Sequence, residues 1–202
     1  MSYPLLTENL IPTLSDFRLG RTERLNKSAF TEAAQVIGSP TGLWTAQVKF
    51  ENVRMNDARV LIGFLISLRG AAGNFRLFDW SAPSANGAGG TYTVTDVSQS
   101  APGLVVIITS SPSTKLASVG DYVEIGGELK ALIADVNTDE LGKATLLFEP
   151  FMRNPITVDT QVNFDKPTGT FRLAPGYKVP RLTGKKLVHA EIAIDCIEAV
   201  TI

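Results

Sequence analysis

His189 and Cys196 are the one histidine and the one cysteine of the 202-residue chain, so they bound its chemistry at once. A catalytic histidine needs a nucleophile or substrate within reach and a partner that orients its ring. His189 falls on the polar phase of a regular alternation, and the sequence contains no Gly-x-Ser-x-Gly elbow. A solvent-facing strand histidine is the expected role. Cys196 falls on the apolar phase of the same alternation, where a free thiol behaves as a small hydrophobe. No histidine or basic cluster adjoins it in sequence to favour a thiolate. A single cysteine excludes an internal disulfide and a cysteine-based zinc cluster, and a single histidine excludes a His-rich metal site within one chain.

Other constellations fall short of their patterns. Asp135-Val136-Asn137-Thr138-Asp139 begins like a calcium loop, but Glu140 stands where the glycine belongs and Leu146 where the bidentate glutamate belongs. A turn built on Asp and Asn backbone bonding is expected there. Gly87-Ala88-Gly89-Gly90 is not followed by Lys-Ser/Thr and runs into a strand-like segment, so it lacks the helix N-terminus of a phosphate loop. Neither a cofactor nor a metal is expected. Asp121, Glu124, Glu128, Asp135 and Glu149 supply enough carboxylates for a glycosidase pair, and a cell-wall hydrolase would rest on Asp121 and Glu128. Such a pair must face each other across a cleft at a set separation, which spacing along the chain does not define.

Of the aromatic residues suited to stacking on sugar rings, Trp44 fits a core phase. Trp80 and Tyr92 flank a linker-like segment and are the candidates for exposed contact, with packing at a domain boundary as their other role. A carbohydrate-binding module of a host-recognition device is the alternative function that they suggest. Lys178, Arg181, Lys185 and Lys186 gather ahead of the last strand-like segment. They read as a solvated loop or a basic contact with another subunit.

The elements that must position these residues are mostly strands. Trp44, Ala46, Val48 and Phe50 alternate with Thr45, Gln47 and Lys49, the period of a half-buried strand. One helix follows, about 13 residues long by its capping signals. Asn56 or Asp57 suits its N-cap, Ala58, Leu61, Leu65 and Leu68 recur at helical spacing with Ile62 and Phe64 beside them, and Gly70 suits a left-handed C-cap. Asn74–Phe78 is the next strand. Residues 81–90 are small, polar and turn-prone, as an inter-domain linker would be. Short strands are expected over 91–97, 104–109, 121–125, 128–134 and 144–149, with Gly126-Gly127 as a two-residue hairpin turn and 137–142 closing the next hairpin. In the last strand, Val188, Ala190, Ile192, Ile194 and Cys196 point one way and His189, Glu191, Ala193 and Asp195 the other. Residues 9–30 read only as an irregular or short-stranded start.

Thr170-Phe171-Arg172-Leu173 echoes Asn74-Phe75-Arg76-Leu77, and Asp16-Phe17-Arg18-Leu19 carries the same tripeptide. Either one short strand is favoured three times, or a first domain pauses near Trp80 and resumes near Phe171. Charge favours the second reading. Residues 1–80 hold nine Lys/Arg against seven Asp/Glu, residues 81–166 five against ten, and residues 167–202 five against three. The outer parts match and the middle is acidic, as an inserted module would be. The expected architecture is mainly β: a β-sandwich parent domain with one α-helix (1–80 plus 167–202), interrupted by a small β-barrel or sandwich module (81–166).

Overall composition is globular, with 44% hydrophobic and 19% charged residues. A net charge of −1 argues against a protein that binds nucleic acid by neutralising many phosphates. The longest apolar stretch, 60–68, is too short to span a bilayer. Met1-Ser2-Tyr3-Pro4 has neither a basic nor an apolar region of a secretory signal, so none is expected.

Several segments, in order, resemble the distal tail proteins of long, non-contractile-tailed phages and prophages. They are Trp44-Thr45-Ala46-Gln47-Val48; the helix ending Phe64-Leu65-Ile66-Ser67-Leu68-Arg69-Gly70; Ala72-Gly73-Asn74-Phe75-Arg76-Leu77; the runs 120–130 and 144–153; and Phe171-Arg172-Leu173. The resemblance covers roughly residues 40–175, and its information lies in the order of the motifs. It implies a virion protein of the tail tip, assembled in the host cytoplasm, that forms a homo-oligomeric ring, expected to be a hexamer. The ring would join the tail tube to the tip or baseplate hub around the DNA channel, with a peripheral second β module. The resemblance implies no catalysis, no specific nucleic-acid recognition and no membrane insertion.

Overall fold

The computed structural model describes residues 3–7, 10–28, 30–98, 100–182 and 188–200. The fold is mainly β with one α-helix. In chain order the first part forms β1 (Leu14–Gly20), β2 (Glu23–Lys27), β3 (Ala34–Gly38), β4 (Leu43–Arg54), α1 (Met55–Ser67) and β5 (Asn74–Phe78). The middle adds β6 (Thr91–Thr93), β7 (Leu104–Ile108), β8 (Lys115–Ala117), β9 (Tyr122–Ile125), β10 (Glu128–Leu132), β11 (Val136–Asn137), β12 (Lys143–Glu149) and β13 (Gln161–Asn163). The chain ends with β14 (Thr168–Leu173) and β15 (Val188–Glu198).

The first sheet has the order β1-β4-β15-β14-β5. The period of two in β4 buries Trp44, Ala46, Val48 and Phe50, and the facing strand buries Ile192, Ile194 and Cys196. Ala58, Leu61, Ile62 and Leu65 of α1 join the same core. Each such leucine or isoleucine contributes about 1.5–3 kcal/mol on burial. Phe75 lies opposite Phe171, so the chain leaves this sheet after β5 and returns to it at β14.

The helix differs from its sequence signals at both ends. It springs directly from β4, with Arg54 as N-cap and no capping side chain, while Asp57 sits inside the first turn, where its charge suits the helix dipole. At the other end Leu68 is the C-cap, and Arg69 takes the left-handed conformation ahead of Gly70, at φ 52°. The Gly73 amide closes that turn by bonding Leu68 O at 2.8 Å.

The second sheet has the order β6-β13-β9-β10-β12-β7. A bridge between Val94 and Ile107 brings its two edges together, so the sheet curls around its own core of Val105, Ile107, Val123, Ile125, Leu146, Phe148 and Phe164. Gly126 and Gly127 join β9 to β10 with φ of 56° and 86°, the two positive values that this hairpin turn needs. Residues 81–90 are not a free linker. The amides of Ala88 and Gly89 bond Lys115 O and Leu116 O at 2.9 and 3.0 Å, and that of Asn86 bonds Asp121 Oδ2 at 2.6 Å. Their small side chains serve close approach: a Cβ on Gly87 would lie 2.4 Å from Leu116 O.

Residues 9–30, unreadable in sequence, hold the edge strand β1 and the first strand of a separate two-stranded sheet, β2–β3. All ten residues of that hairpin are exposed.

Candidate interaction surfaces

The polar side chains that come together lie where the two sheets meet. Arg76 of β5 reaches Glu124 of β9 and the Thr168 hydroxyl, and donates to Gly127 O at 3.0 Å. Glu124 Oε2 also accepts the Thr168 amide at 3.0 Å. Arg153, just beyond β12, donates to both carboxylate oxygens of Glu198 in β15 and to Gly42 O ahead of β4. Glu128 accepts from Lys130 Nζ at 2.7 Å and from the amide and side chain of Asn154 at 3.0 Å each. Trp44 Nε1 bonds Leu129 O at 2.9 Å, and its ring meets Tyr122 edge-on.

Burial pulls the wholly buried Lys130 ammonium below its usual value, with Glu128 offsetting part of the effect. Burial alone would raise the Glu128 carboxyl. The Lys130 ammonium and the backbone amides of Asn154 and Arg153 outweigh it and hold the group below its ordinary value. Arg76, Glu128, Arg153, Asn154, Thr170 and Glu198 line a cleft of about 340 Å³. Each charge facing it is paired, Arg76 with Glu124, Glu128 with Lys130 and Arg153 with Glu198, and the first and last of these pairs tie one sheet to the other. Of the four charged residues lining the cleft the sequence singled out only Glu128, and with Asp121 as its partner. Glu198 carries the one available hint: it sits on the inward phase two residues after Cys196, where only a paired carboxylate is tolerable.

Trp80 and Tyr92 are not the exposed contact residues that their positions suggest. Trp80 is half-buried, tilted on Phe78 at 4.4 Å between ring centres and edge-on to Phe50. The buried Asp79 carboxylate fixes this turn by accepting from Ser15 Oγ and from the Ser81 amide at 2.6 and 2.9 Å. Tyr92 is half-buried against Phe164 and donates its hydroxyl to Gly89 O at 2.8 Å. Asp121, offered for hydrolysis, instead accepts the amides of Asn86 and Ser118. Its intended partner Glu128 is tied to Lys130.

Cys196 is buried and donates to Ala46 O at 3.2 Å, and burial pushes its thiol well up. The backbone of His189 pairs with Val53, while its side chain lies outside the described residues. Asp139 Oδ1 accepts the amides of Leu141 and Lys143, so the calcium-like segment is an Asx-built turn. Among the described residues no group of three or more His, Cys, Asp or Glu side chains is placed to hold a metal ion. None of the helices there is long and apolar enough to cross a membrane. Lys178 and Arg181 are exposed, and Lys185 and Lys186 lie outside the described residues.

Among the described residues, exposed apolar side chains occur together in three places, besides others that stand elsewhere. The hairpin is an arm: Leu25 lies opposite Val36 on one face, both 62% exposed, and Phe30 at the tip is 98% exposed. The outer side of α1 presents Val60, Gly63 and Ile66, with Arg59 beside them. On the second sheet Ile133 lies across from Leu147, joined by its amide to Leu147 O at 3.0 Å, and Leu147 pairs with Leu104. No family model matches the chain, and no curated protein matches its sequence.

Proposed function

We propose that the chain is a structural protein of a phage tail tip, a ring subunit that links the tail tube to the tip or baseplate around the DNA channel. The reading starts from the ordered motifs that resemble distal tail proteins. The observation that supports it best is the arm. A two-stranded sheet standing alone in water is marginal, and this one has neither a third strand nor a covering layer among the described residues. Its order therefore calls for a partner. A ring is built from one repeated contact between two different faces, and the arm supplies one such face while the other exposed apolar surfaces supply candidates for the second.

In this reading the chain holds other subunits and catalyses nothing. Its partners are copies of itself, the tail tube and the hub, and its place is the virion. Lys178 and Arg181 add a basic rim to the subunit contacts. The carbohydrate-binding alternative loses its footing with the packing of Trp80 and Tyr92.

Native mass measurement of the purified chain tests the proposal. The expected result is a closed oligomer, a whole multiple of the 21.7 kDa chain, with six copies as the expectation. A strictly monomeric species at high concentration, with no tail protein bound, overturns it. Imaging of assembled particles carrying a label on this chain then locates the ring.

A further inference from the structure

We infer that two copies of the chain pair edge to edge through β1, antiparallel and centred on Phe17, so that the first sheet runs on across a two-fold axis. The inference does not rest on the ring reading. A two-fold contact joins the same face of both copies, whereas a ring contact joins two different faces.

The first observation is an open strand edge. β1 ends its sheet and pairs only with β4 among the described residues. Backbone groups alternate in direction along a strand. Arg18 O accepts from Thr45 Oγ1 at 3.3 Å, and the Thr13 amide bonds Lys49 O at 2.8 Å. The ladder to β4 therefore runs through Asp16 and Arg18 and their partners Gln47 and Thr45. The N–H and C=O groups of Ser15, Phe17 and Leu19 face the open side. Leu14–Gly20 holds no proline and no lysine to guard that edge.

The second observation is that the chain already contains this pairing. β5 and β14 carry the same Phe-Arg-Leu as β1, and they lie antiparallel with Phe75 opposite Phe171. The Arg76 amide bonds Pro4 O at 2.8 Å and Arg76 O accepts the Leu6 amide at 3.1 Å, so Arg76 turns its backbone away from β14. The hydrogen-bonded pair of that ladder is thus Phe75 with Phe171. Two β1 strands centred on Phe17 repeat the arrangement, with the open N–H and C=O groups of the two phenylalanines in register.

Charge selects that register. It sets Asp16 opposite Arg18 of the second copy, and Arg18 opposite the second Asp16. Leu14 lies opposite Gly20, which has no side chain to obstruct it. Sliding the strands by two residues sets Arg18 against Arg18 or Asp16 against Asp16, which is destabilising. Within one chain Arg18 holds Asp16 through Nε and Nη2, both on Oδ2. Asp16 Oδ1 and Arg18 Nη1 make no bond among the described residues, so each charge keeps an atom for the second copy.

The test follows association of the full chain and of two variants, Asp16→Arg and Arg18→Asp, by sedimentation, alone and mixed. Each variant alone meets like charges at both cross-strand positions and is expected to lose the two-copy association of the wild type. The equimolar mixture restores opposite charges between chains but not within either one. It is expected to regain a species at twice the 21.7 kDa chain mass. In the wild type, hydrogen exchange of the Phe17 amide is expected to slow as concentration rises, while that of Arg18, already in the ladder to β4, stays unchanged. A mixture no more associated than its components overturns the inference. So do variants that associate as the wild type does, or a Phe17 amide whose exchange is independent of concentration. If a closed wild-type oligomer forms in any of those cases, the ring reading stands. A wild-type chain that stays monomeric at every concentration overturns both.

Discussion

Arg153 clamps Glu198 end-on, with Nη1 at 2.6 Å from Oε1 and Nη2 at 2.9 Å from Oε2, and so ties the loop after β12 to the last strand of the first sheet. Glu198 in turn accepts the Trp44 amide at 3.0 Å, which places the pair at the joint between the two cores. Both side chains are largely withdrawn from water. A charge so placed is costly once its partner is gone. Arg153→Met should therefore lower stability by about 3–5 kcal/mol, since it strands a buried carboxylate. Glu198→Gln, which keeps the shape and removes the charge, should cost less. Urea denaturation of both variants measures the difference.

Two glycines should respond with opposite signs. Gly63 sits within α1, and an added Cβ meets nothing within 4 Å. Gly63→Ala should stabilise the fold by about 0.5–1 kcal/mol through helix propensity. Gly142 has φ of 77°, and a Cβ there would lie 2.2 Å from Thr109 O. Gly142→Ala should destabilise by more than the first change gains, because both the backbone and the contact are strained. Thermal melts of the two variants give the signs directly.

The contrast between those glycines reflects what was legible in the sequence. Periodicity reports which residues share a face, so β4, the core face of α1, the Gly126-Gly127 turn and the phase of β15 were readable from residue order. The return of the chain to the first sheet at Phe171 left a trace in the repeated Phe-Arg-Leu. The arm left none, because both faces of β2 and β3 are exposed and neither has to be apolar throughout. The Arg76–Glu124 and Arg153–Glu198 pairs were silent for another reason. Their partners lie 48 and 45 residues apart, and nothing local marks a charge that will be buried by tertiary contact. The exposed-contact role offered for Trp80 rested on the linker-like look of the segment after it, and the structure shows the packing role offered beside it. The buried Asp79 carboxylate, which folds the indole inward, is visible only in three dimensions.

Acid should loosen the joint between the sheets. The Glu128 carboxyl is held below its ordinary 4.5, so in the window below that value the unfolded chain binds more protons than the folded one. Stability therefore rises with pH through that window and is lost as pH falls through it. Glu128→Gln leaves the buried Lys130 ammonium without its carboxylate and should destabilise at neutral pH. The gap between variant and wild type should narrow on acidification as the wild-type carboxyl takes up its proton. Melting temperatures of both proteins across acid pH check this, and a gap that does not change with pH would count against Glu128 as the titrating group.

Cys196 offers a direct readout of the first core. Its side chain is 2% exposed, its Sγ bonds Ala46 O, and burial keeps the thiol from ionising at neutral pH. The thiolate is the reactive species, so both access and ionisation protect this residue in the folded state. A thiol-specific reagent should find no reactive group in the native protein and one per chain after guanidinium unfolding. Arg153→Met should raise the native-state labelling rate if the joint and the core open together. An unchanged rate in a destabilised variant would mean that the second sheet opens alone, and would divide the molecule into two folding units at the Arg153–Glu198 pair.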